Sequence, residues 1–290
     1  MGAIITLTTD FGLADGYVAA MKGVILSINP DARLVDISHE IKPQNVAEGA
    51  FVLGKTYRYF PQGTIHLAVV DPGVGTNRRA IILRTPQAFF VAPDNGLLAG
   101  VLSDASPEAT TTGVLGDELE AMATAMATAV AITNARYWRS AVSATFHGRD
   151  IFAPVAAYLS LGTPLAEFGE RISSIVMPSQ SLTKRRPDGS LAGQVMHIDH
   201  FGNLVTGIRE TELPKGAISV SIAGRTLKRV RRTYAEGEGL IALVGSSGLL
   251  EIAVNGGSAR ELTGAEVGDE VIVASRTGHR SVRSRARVSV

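Results

Sequence analysis

Five polar clusters contain the side chains of this sequence that could do chemistry. They are Asp10–Gly12 with Asp15, Asp71–Gly75 with Arg78 and Arg79, Asp94–Gly96, His147–Asp150, and Asp199–Asn203. Each cluster alone has a structural alternative, because Asp-Gly and Asn-Gly pairs form turns and a carboxylate such as Asp15 can cap a helix. Together, carboxylates, an arginine and a histidine at the ends of predicted strands and helices indicate a functional site.

Two kinds of chemistry use such a set of side chains. Carboxylates and a histidine bind divalent metals for phosphoester hydrolysis. Alternatively, carboxylates bind ribose hydroxyls and a substrate ammonium group, while aspartate, arginine and histidine handle a water molecule. The sequence has neither an Asn-His followed by an acid nor an HExxH pair, which weakens the metal hypothesis and leaves it open.

The common nucleotide-binding motifs are absent. No G-x-G-x-x-G follows the first predicted strand, and no G-x-x-x-x-G-K-[ST] occurs. These absences argue against a dinucleotide-dependent dehydrogenase, a Rossmann-type methyltransferase and a P-loop NTPase. The pair Gly73 and Gly75 suits either a close backbone approach to a ligand or a simple turn.

The first part of the chain alternates predicted strands with predicted helices. Strands are predicted at Ala3–Thr8, Arg33–Ile37 and Thr64–Val70, and helices at Tyr17–Ile28, Val46–Tyr57 and Ile151–Leu161. This alternation predicts an α/β layer with a largely parallel sheet. Ligands of such sheets lie beyond the carboxyl ends of the strands, where Asp10 and Asp71 fall.

The second part consists of short apolar runs separated by glycine, which predicts a small all-β unit, either a barrel or a sandwich. The predicted strands are Val195–Ile198, Leu204–Ile208, Ala217–Ile222, Leu240–Val244, Leu249–Val254 and Glu270–Ala274. We therefore predict an N-terminal α/β domain over 1–178, a linker over 179–190, a C-terminal all-β domain over 191–276 and a disordered basic tail over 277–290.

The segment near residues 104–130 is rich in alanine, threonine and methionine. A helix is predicted from Gly116 to Val130, and Met122 and Met126 are interpreted as packing residues rather than a cofactor site. We predict no chemistry in this segment.

Composition limits the compartment and the partners. The chain has no cysteine, which excludes disulfides, thiolate nucleophiles and cysteine zinc sites. A net charge of +1 gives no case for nucleic acid. No unbroken apolar stretch reaches the length of about eighteen residues that a membrane-spanning helix needs. The N-terminus lacks the features of a signal peptide. We expect a cytoplasmic protein with no nucleic-acid or membrane partner.

With its motifs in this order, the sequence resembles the S-adenosyl-L-methionine (SAM) hydrolase family, also called SAM hydroxide adenosyltransferases, which is related to fluorinase and chlorinase. The resemblance runs almost end to end and rests on Thr8–Gly12, Val69–Thr76, Ala92–Leu98, Thr145–Asp150 and Asp199–Asn203. It implies an N-terminal α/β domain, a C-terminal β-barrel and a homotrimer with its sites at subunit interfaces. It also implies that SAM is the substrate, cleaved by water to adenosine and methionine without a cofactor or metal.

The resemblance also assigns roles to individual residues. It gives the water-handling triad as Asp71, Arg78 and His147, with Arg78 favoured over Arg79 by its spacing from Asp71. Asp10 matches the residue that binds the ribose hydroxyls. The remaining matches are Asp15 and Asp199 near the methionine ammonium, Ser246 and Ser247 at the methionine carboxylate, and Phe201, Asn203, Tyr234 and Gly256 at the adenine.

Two positions differ from the related halogenases, which have Tyr in place of Asp71 and a halide-contacting Ser in place of Gly148. A carboxylate repels a halide anion but accepts a hydrogen bond from water, so the difference favours water as the nucleophile. Two other functions stay open. They are a metal-dependent phosphoester or nucleotide hydrolase and a non-catalytic SAM- or adenosine-binding protein.

Overall fold

The computed structural model describes residues 2–105, 127–178 and 183–275 of the chain. The chain divides into two units, Met1–Gln180 and Ser181–Val290. No helix within the described ranges is long and apolar enough to cross a membrane.

The first unit is built on a seven-stranded mixed sheet with the order β2-β1-β3-β5-β4-β6-β7. Its strands are β1 (Ile4–Thr9), β2 (Arg33–Ser38), β3 (Thr64–Val69), β4 (Ala80–Arg84), β5 (Ala88–Pro93), β6 (Thr128–Ala131) and β7 (Arg171–Ile172). The neighbours β2, β1, β3 and β5 run parallel, whereas β4, β6 and β7 add by antiparallel pairing. The predicted α/β class is confirmed, and the parallel pairing is confined to four strands.

Helices cover both faces of this sheet. They are α1 (Tyr17–Ile28), α2 (Val46–Thr56), α3 (Ala99–Ala105) and α4 (Ala153–Ser160). α1 packs against α4 and α2 packs against α3. Successive strand side chains point to opposite faces, so Leu67 joins the apolar layer of α1 and α4 while Ala68 joins the layer of α2 and α3. Full burial of a leucine or isoleucine contributes about 1.5–3 kcal/mol.

One predicted helix of this unit is partly wrong. The end of the helix predicted from Gly116 to Val130 belongs to β6, which pairs with β4. Its β-branched residues alternate with alanine, a pattern that suits a strand. The rest of the predicted helix, including Met122 and Met126, lies outside the described residues.

The helix predicted over Ile151–Leu161 begins earlier than its apolar pattern indicates. A π-helical turn, Gly148–Phe152, precedes α4 and starts directly after His147. Single π-helical turns are rare and are frequent at functional sites. This turn therefore places the histidine of the fourth polar cluster at the start of a buried helix.

The second unit is a single, nearly closed barrel-like sheet, which confirms the predicted all-β class. Its strands are β8 (Thr183–Arg185), β9 (Leu191–Ile198), β10 (Leu204–Arg209), β11 (Ile218–Ile222), β12 (Arg225–Leu227), β13 (Val230–Arg231), β14 (Leu240–Val244), β15 (Leu249–Val254) and β16 (Glu270–Ser275), with one short helix, α5 (Ala259–Thr263). The order is β12-β11-β16-β9-β10-β15-β14-β13, and β8 pairs with β9. Thus β8 lies inside the predicted linker 179–190, whereas the tail 277–290 lies outside the described residues.

The parallel strands explain why distant aspartates meet at one edge of the first unit. β1, β3 and β5 are neighbours and point the same way, so their carboxyl ends share an edge. Asp10 follows β1, Asp71 follows β3 after one residue, and Asp94 follows β5. The candidate site is built on this carboxyl edge.

Candidate functional site

Asp10 is held in place by the loop that leads into α2. Its Oδ2 accepts a hydrogen bond from the backbone N–H of Gln44 at 2.7 Å. Gln44 has φ +64°, a left-handed conformation that costs a non-glycine residue about 1–2 kcal/mol. The Asn45 side chain caps α2 by accepting from the Glu48 N–H at 3.1 Å, which fixes the same loop. A strained residue is therefore held against a carboxylate at the carboxyl edge of the sheet.

Asp71, Arg78 and His147 form one connected group at this edge. Arg78 Nε lies 3.0 Å from Asp71 Oδ1 and 2.9 Å from Oδ2, and Arg78 Nη2 also contacts Oδ2. The same Nη2 lies 2.9 Å from His147 Nδ1. The side chains of Arg78 and Asp71 are 11% and 5% exposed, so the pair is largely shielded from water. The structure thus brings together all three residues of the expected triad.

The direction of the Arg78–His147 hydrogen bond fixes the proton on the imidazole. A guanidinium only donates, so His147 Nδ1 must accept and the neutral ring carries its proton on Nε2. Burial and the charge of Arg78 lower the pKa of His147 below its ordinary value of 6.5, against the opposing charges of Asp71 and Asp150. His147 is therefore a neutral acceptor near pH 7.

The neighbouring Arg79 has a different partner. Its Nε donates to Asp94 Oδ2 at 2.7 Å and its Nη2 donates to the Ser174 carbonyl oxygen at 3.0 Å. The buried Asp94 also accepts from the Val176 N–H at 2.7 Å. The two adjacent arginines thus serve separate carboxylates, and Arg78 is the one that meets Asp71 and His147, as its spacing predicts.

An aromatic group borders the polar edge. The rings of Phe11, Tyr17 and Phe146 pack against one another with centroid distances of 5.2–5.9 Å. A Cβ on Gly148 would lie 3.4 Å from the Phe11 ring, so glycine permits this close packing. Asp15 is exposed on the preceding loop and makes no hydrogen bond or ion pair within the described residues.

The structure rejects the capping alternative for Asp15. The N-cap of α1 is Gly16, and no side chain makes a capping hydrogen bond there. The carboxylate is exposed to solvent instead. Its predicted contact with a substrate ammonium group stays a prediction.

In the second unit, Asp199 shapes the turn between β9 and β10. Its Oδ1 accepts from the backbone N–H groups of Phe201 and Asn203, each at 2.9 Å. Its Oδ2 accepts from the Asn203 Nδ2 at 2.9 Å. The turn leaves Phe201 73% exposed and buries Asn203. An exposed aromatic ring beside an ordered amide suits the stacking and hydrogen bonding of a planar base.

Tyr234 contacts a buried carboxyl group that the sequence reasoning missed. Its hydroxyl donates to Glu251 Oε2 at 3.1 Å. Burial and the neighbouring Glu251 raise the pKa of Tyr234 to about 12, and burial together with the charge of Asp199 raises the pKa of Glu251. Tyr234, Glu251 and Asp199 thus interact electrostatically. The sequence marks Glu251 only as a single acidic residue inside the apolar run of β15.

The remaining expected residues of this unit lie on turns. Ser246 and Ser247 lie between β14 and β15, where Ser246 is exposed and the buried Ser247 hydroxyl has no hydrogen-bond partner among the described residues. A Cβ on Gly245 would overlap Glu251 Oε1, so this turn lies directly against the buried carboxyl group. Gly256 lies on the exposed turn after β15 with φ +71°.

The donor set does not resemble a metal centre. In the described ranges, no group of three or more histidine, aspartate, glutamate or cysteine side chains could hold a metal ion. The carboxylate of Asp71 is already engaged by the guanidinium of Arg78, which is a cation itself. The arrangement can orient and deprotonate a small neutral molecule such as water.

Comparison with known proteins places the chain in one family. Models of the N-terminal and C-terminal domains of SAM hydroxide adenosyltransferases match residues 5–169 and 193–272. The chain is 42% identical over 276 residues to the (R)-S-adenosyl-L-methionine hydrolase of Salinispora arenicola (strain CNS-205), covering 93% of this chain and 97% of the relative. It is 30% identical over 250 residues to a fluorinase of Actinoplanes sp. (strain N902-109), covering 77% and 78%.

A solved structure supports the same relationship. An uncharacterized conserved protein from Thermotoga maritima matches with a TM-score of 0.79 and 34% identity, covering 93% of this chain and 100% of that chain. The two family models together cover most of the sequence. The chain therefore belongs to the SAM hydroxide adenosyltransferase family.

Proposed function

We propose that this protein hydrolyses (R)-S-adenosyl-L-methionine to adenosine and L-methionine, with water attacking the C5′ carbon. The observation that carries the proposal is the contact group of Asp71, Arg78 and His147 at the carboxyl edge of the sheet, in a chain of this family. The relative from Salinispora arenicola is named for the (R) epimer of SAM, and we extend that preference to this chain.

The reaction needs no general acid, and its main requirement is a well-positioned nucleophile. The water oxygen forms a bond to C5′, the C5′–S bond breaks with its electron pair going to sulfur, and one water proton is released. The leaving group is a neutral thioether, so no general acid has to protonate it. Free water, with a pKa of about 15.7, is a poor nucleophile. Holding it in line with the bond contributes several kcal/mol through avoided entropy loss.

The three site residues divide this task. Asp71 accepts a hydrogen bond from the water, since an ionised carboxylate has about four acceptor positions and Arg78 does not use all of them. His147 accepts the released proton at Nδ1, which requires Arg78 to turn its N–H from that nitrogen to the water oxygen. Arg78 then stabilises the developing hydroxide. The neutral form of His147 near pH 7 is the form that this step needs.

The same geometry disfavours a halide nucleophile. Asp71 presents a carboxylate to the position of the nucleophile and repels an anion. At Gly148 there is no hydroxyl to contact a halide, and an added Cβ would meet Met21 Sδ at 3.3 Å and the Phe11 ring. Water is neutral and finds acceptors in this group.

Charge matching supports the assignment of the binding residues. SAM carries a sulfonium and an ammonium group, and aspartates reduce the cost of removing such cations from water. We assign Asp10 to the ribose hydroxyls and Asp15 and Asp199 to the ammonium group. We assign Ser246 and Ser247 to the methionine carboxylate, and Phe201, Asn203, Tyr234 and Gly256 to the adenine.

The site is completed, in this proposal, by a neighbouring copy of the chain. We propose a homotrimer in which the C-terminal unit of one subunit faces the N-terminal unit of the next. We further propose that the enzyme acts in the cytoplasm without a cofactor, a metal, a nucleic-acid partner or a membrane. Size-exclusion chromatography with light scattering tests the trimer, and a monomer with full activity would overturn it.

The central test is hydrolysis of (R)-SAM in oxygen-18 water, with mass analysis of the adenosine. We expect one label at the 5′-hydroxyl, with equal activity after treatment with EDTA. Activity on nucleotide phosphoesters that requires added metal would favour the alternative hydrolase. Tight SAM binding in calorimetry without product would favour a binding protein. Unlabelled adenosine would exclude water as the nucleophile.

Asp71→Asn tests the role of the carboxylate. We expect kcat to fall by about 10²-fold or more, because the water loses the acceptor that orients it, with little change in the SAM dissociation constant. Asp188→Asn is the matched control, because Asp188 is exposed and holds only a turn through Ser190. Unchanged kcat in the Asp71 variant would reject the assignment.

A further inference from the structure

Asp150 is a buried acidic residue for which the proposed reaction has no direct use. Its side chain is 0% exposed. Arg149 donates from Nε to Oδ1 at 2.7 Å and from Nη2 to Oδ2 at 2.8 Å. Arg139 Nη1 donates to Oδ1 at 3.1 Å, and the Ser143 N–H donates to Oδ2 at 2.9 Å. Burying a carboxylate is costly unless it is paired, and these four hydrogen bonds compensate for the burial.

These contacts hold the chain that leads to His147. Residues 138–146 contain neither helix nor strand. The Arg139 N–H donates to the Asp150 carbonyl oxygen at 2.9 Å, which closes this segment at its base. The Asp150 side chain holds its middle through the Ser143 N–H. No regular element directly precedes His147, and Asp150 anchors the segment that leads to it at two points.

The same segment lies against the loop that carries Asp71. A Cβ on Gly75 would lie 2.5 Å from the Ala144 carbonyl oxygen, so the two loops are in contact at main-chain level. The Arg149 guanidinium, oriented by Asp150, lies 4.9 Å from the centroid of the Phe146 ring. Asp150 thus fixes two groups around His147. They are the segment that precedes it, which contacts the Asp71 loop, and the Arg149 guanidinium, which packs on the Phe146 ring.

The charge of Asp150 also reaches the imidazole. The charged groups that act on His147 are Arg78, which lowers its pKa, and Asp71 and Asp150, which raise it. Arg149 lies two residues after His147, and its charge is paired with Asp150. Removing the negative charge of Asp150 leaves the effect of Arg78 less opposed, so the pKa of His147 should fall further.

We propose that Asp150 is a positioning residue for SAM hydrolysis, which holds His147 against Arg78 and holds the 139–147 segment against the Asp71 loop. It acts through His147 and does not touch the substrate. The inference rests on the proposed function, because it assigns Asp150 a part in that same reaction.

The test is Asp150→Asn, which keeps the shape of the side chain and removes its charge. We expect kcat for SAM hydrolysis to fall about tenfold or more while KM changes less than about threefold, as expected when a reacting group is displaced. The acidic limb of the profile of kcat/KM against pH should move to lower pH. NMR titration of the His147 Cε1–H, identified by its loss in His147→Gln, should show the same downward shift. Asp188→Asn should leave both quantities unchanged.

Three outcomes decide between the possibilities. If the wild type hydrolyses SAM and the Asp150 variant keeps its kcat within about twofold, or the His147 pKa does not fall, the positioning role is rejected. If the variant fails to fold, Arg149→Lys replaces it, because this change keeps the charge but loses the two-pronged contact. Arg149→Lys should lower kcat without moving the His147 pKa, and unchanged kcat would overturn the proposal. If the wild type does not hydrolyse SAM, the proposed function fails, and the NMR titration still decides whether Asp150 governs His147.

Discussion

Replacing Gly75 by alanine tests whether the Asp71 loop and the His147 loop depend on their main-chain contact. Gly75 has φ +78°, where alanine costs about 1–2 kcal/mol. The new Cβ would also stand 2.5 Å from the Ala144 carbonyl oxygen. Relieving such an overlap costs about 1–3 kcal/mol more. We therefore expect Gly75→Ala to lower the free energy of unfolding by about 2–5 kcal/mol.

Gly63 provides the matched control. Its φ is +83°, and no atom lies within 4 Å of an added Cβ. Gly63→Ala should therefore cost only the backbone term of about 1–2 kcal/mol. Unfolding in urea, followed by the fluorescence of Trp138, the single tryptophan, gives both values.

Activity separates the two glycine variants further. Moving the loops apart by a few tenths of an ångström or more displaces Asp71 from His147, so Gly75→Ala should lower kcat for SAM hydrolysis about tenfold or more. Gly63→Ala should keep the wild-type kcat, because Gly63 lies on the turn before β3, at the opposite end of that strand from Asp71. Equal losses of stability in the two variants, or unchanged kcat in Gly75→Ala, would refute the reasoning.

Two pH effects follow from histidines with lowered pKa values. For His147, kcat/KM should be level near pH 7 and fall as the pH drops through a midpoint below 6.5, because protonation removes the Nδ1 acceptor; a midpoint above 6.5 would contradict this. Burial lowers the pKa of His66 from 6.5 to about 4. The unfolded chain therefore binds a proton before the folded chain does, and stability is lost as the pH falls from 6.5 towards 4, by up to about 3 kcal/mol. His66→Gln should lose correspondingly less in urea unfolding over this range, and identical pH dependence in both proteins would contradict the assignment.

The sequence alone predicts the carboxyl edge of the sheet, whereas the preference for Arg78 over Arg79 comes from the family resemblance. Asp10 and Asp71 follow apolar β-branched runs, and the geometry of parallel strands brings the ends of such runs together. Arg78 and Arg79 are adjacent, and the structure gives them separate carboxylates, Asp71 and Asp94. The edge follows from apolar runs that are local in sequence, which is why a single sequence reveals it, whereas nothing local distinguishes two adjacent arginines.

Other features depend on contacts between segments that are far apart in sequence. The strained Gln44 is held against Asp10 across 34 residues, and no local pattern marks a left-handed glutamine. The buried Glu251 is visible only as an acid in an apolar run, and its partner Tyr234 lies on a separate turn. The end of the predicted helix Gly116–Val130 is a strand because the distant β4 supplies its pairing partner.

In the proposed site, the ion pair between Asp71 and Arg78 also explains how an arginine could stand beside the nucleophile without selecting an anion. An isolated, largely buried guanidinium would attract a halide strongly. Here two of its nitrogens face the Asp71 carboxylate, and one of them also faces His147, so the positive charge is locally balanced and its hydrogen bonds are directed. A neutral molecule with two protons and two lone pairs can join this group without displacing a charge, whereas an anion must compete with a carboxylate already in place. We therefore infer that the preference for water arises from the pair as a unit, and that changing Asp71 alone would release the guanidinium as well as remove an acceptor.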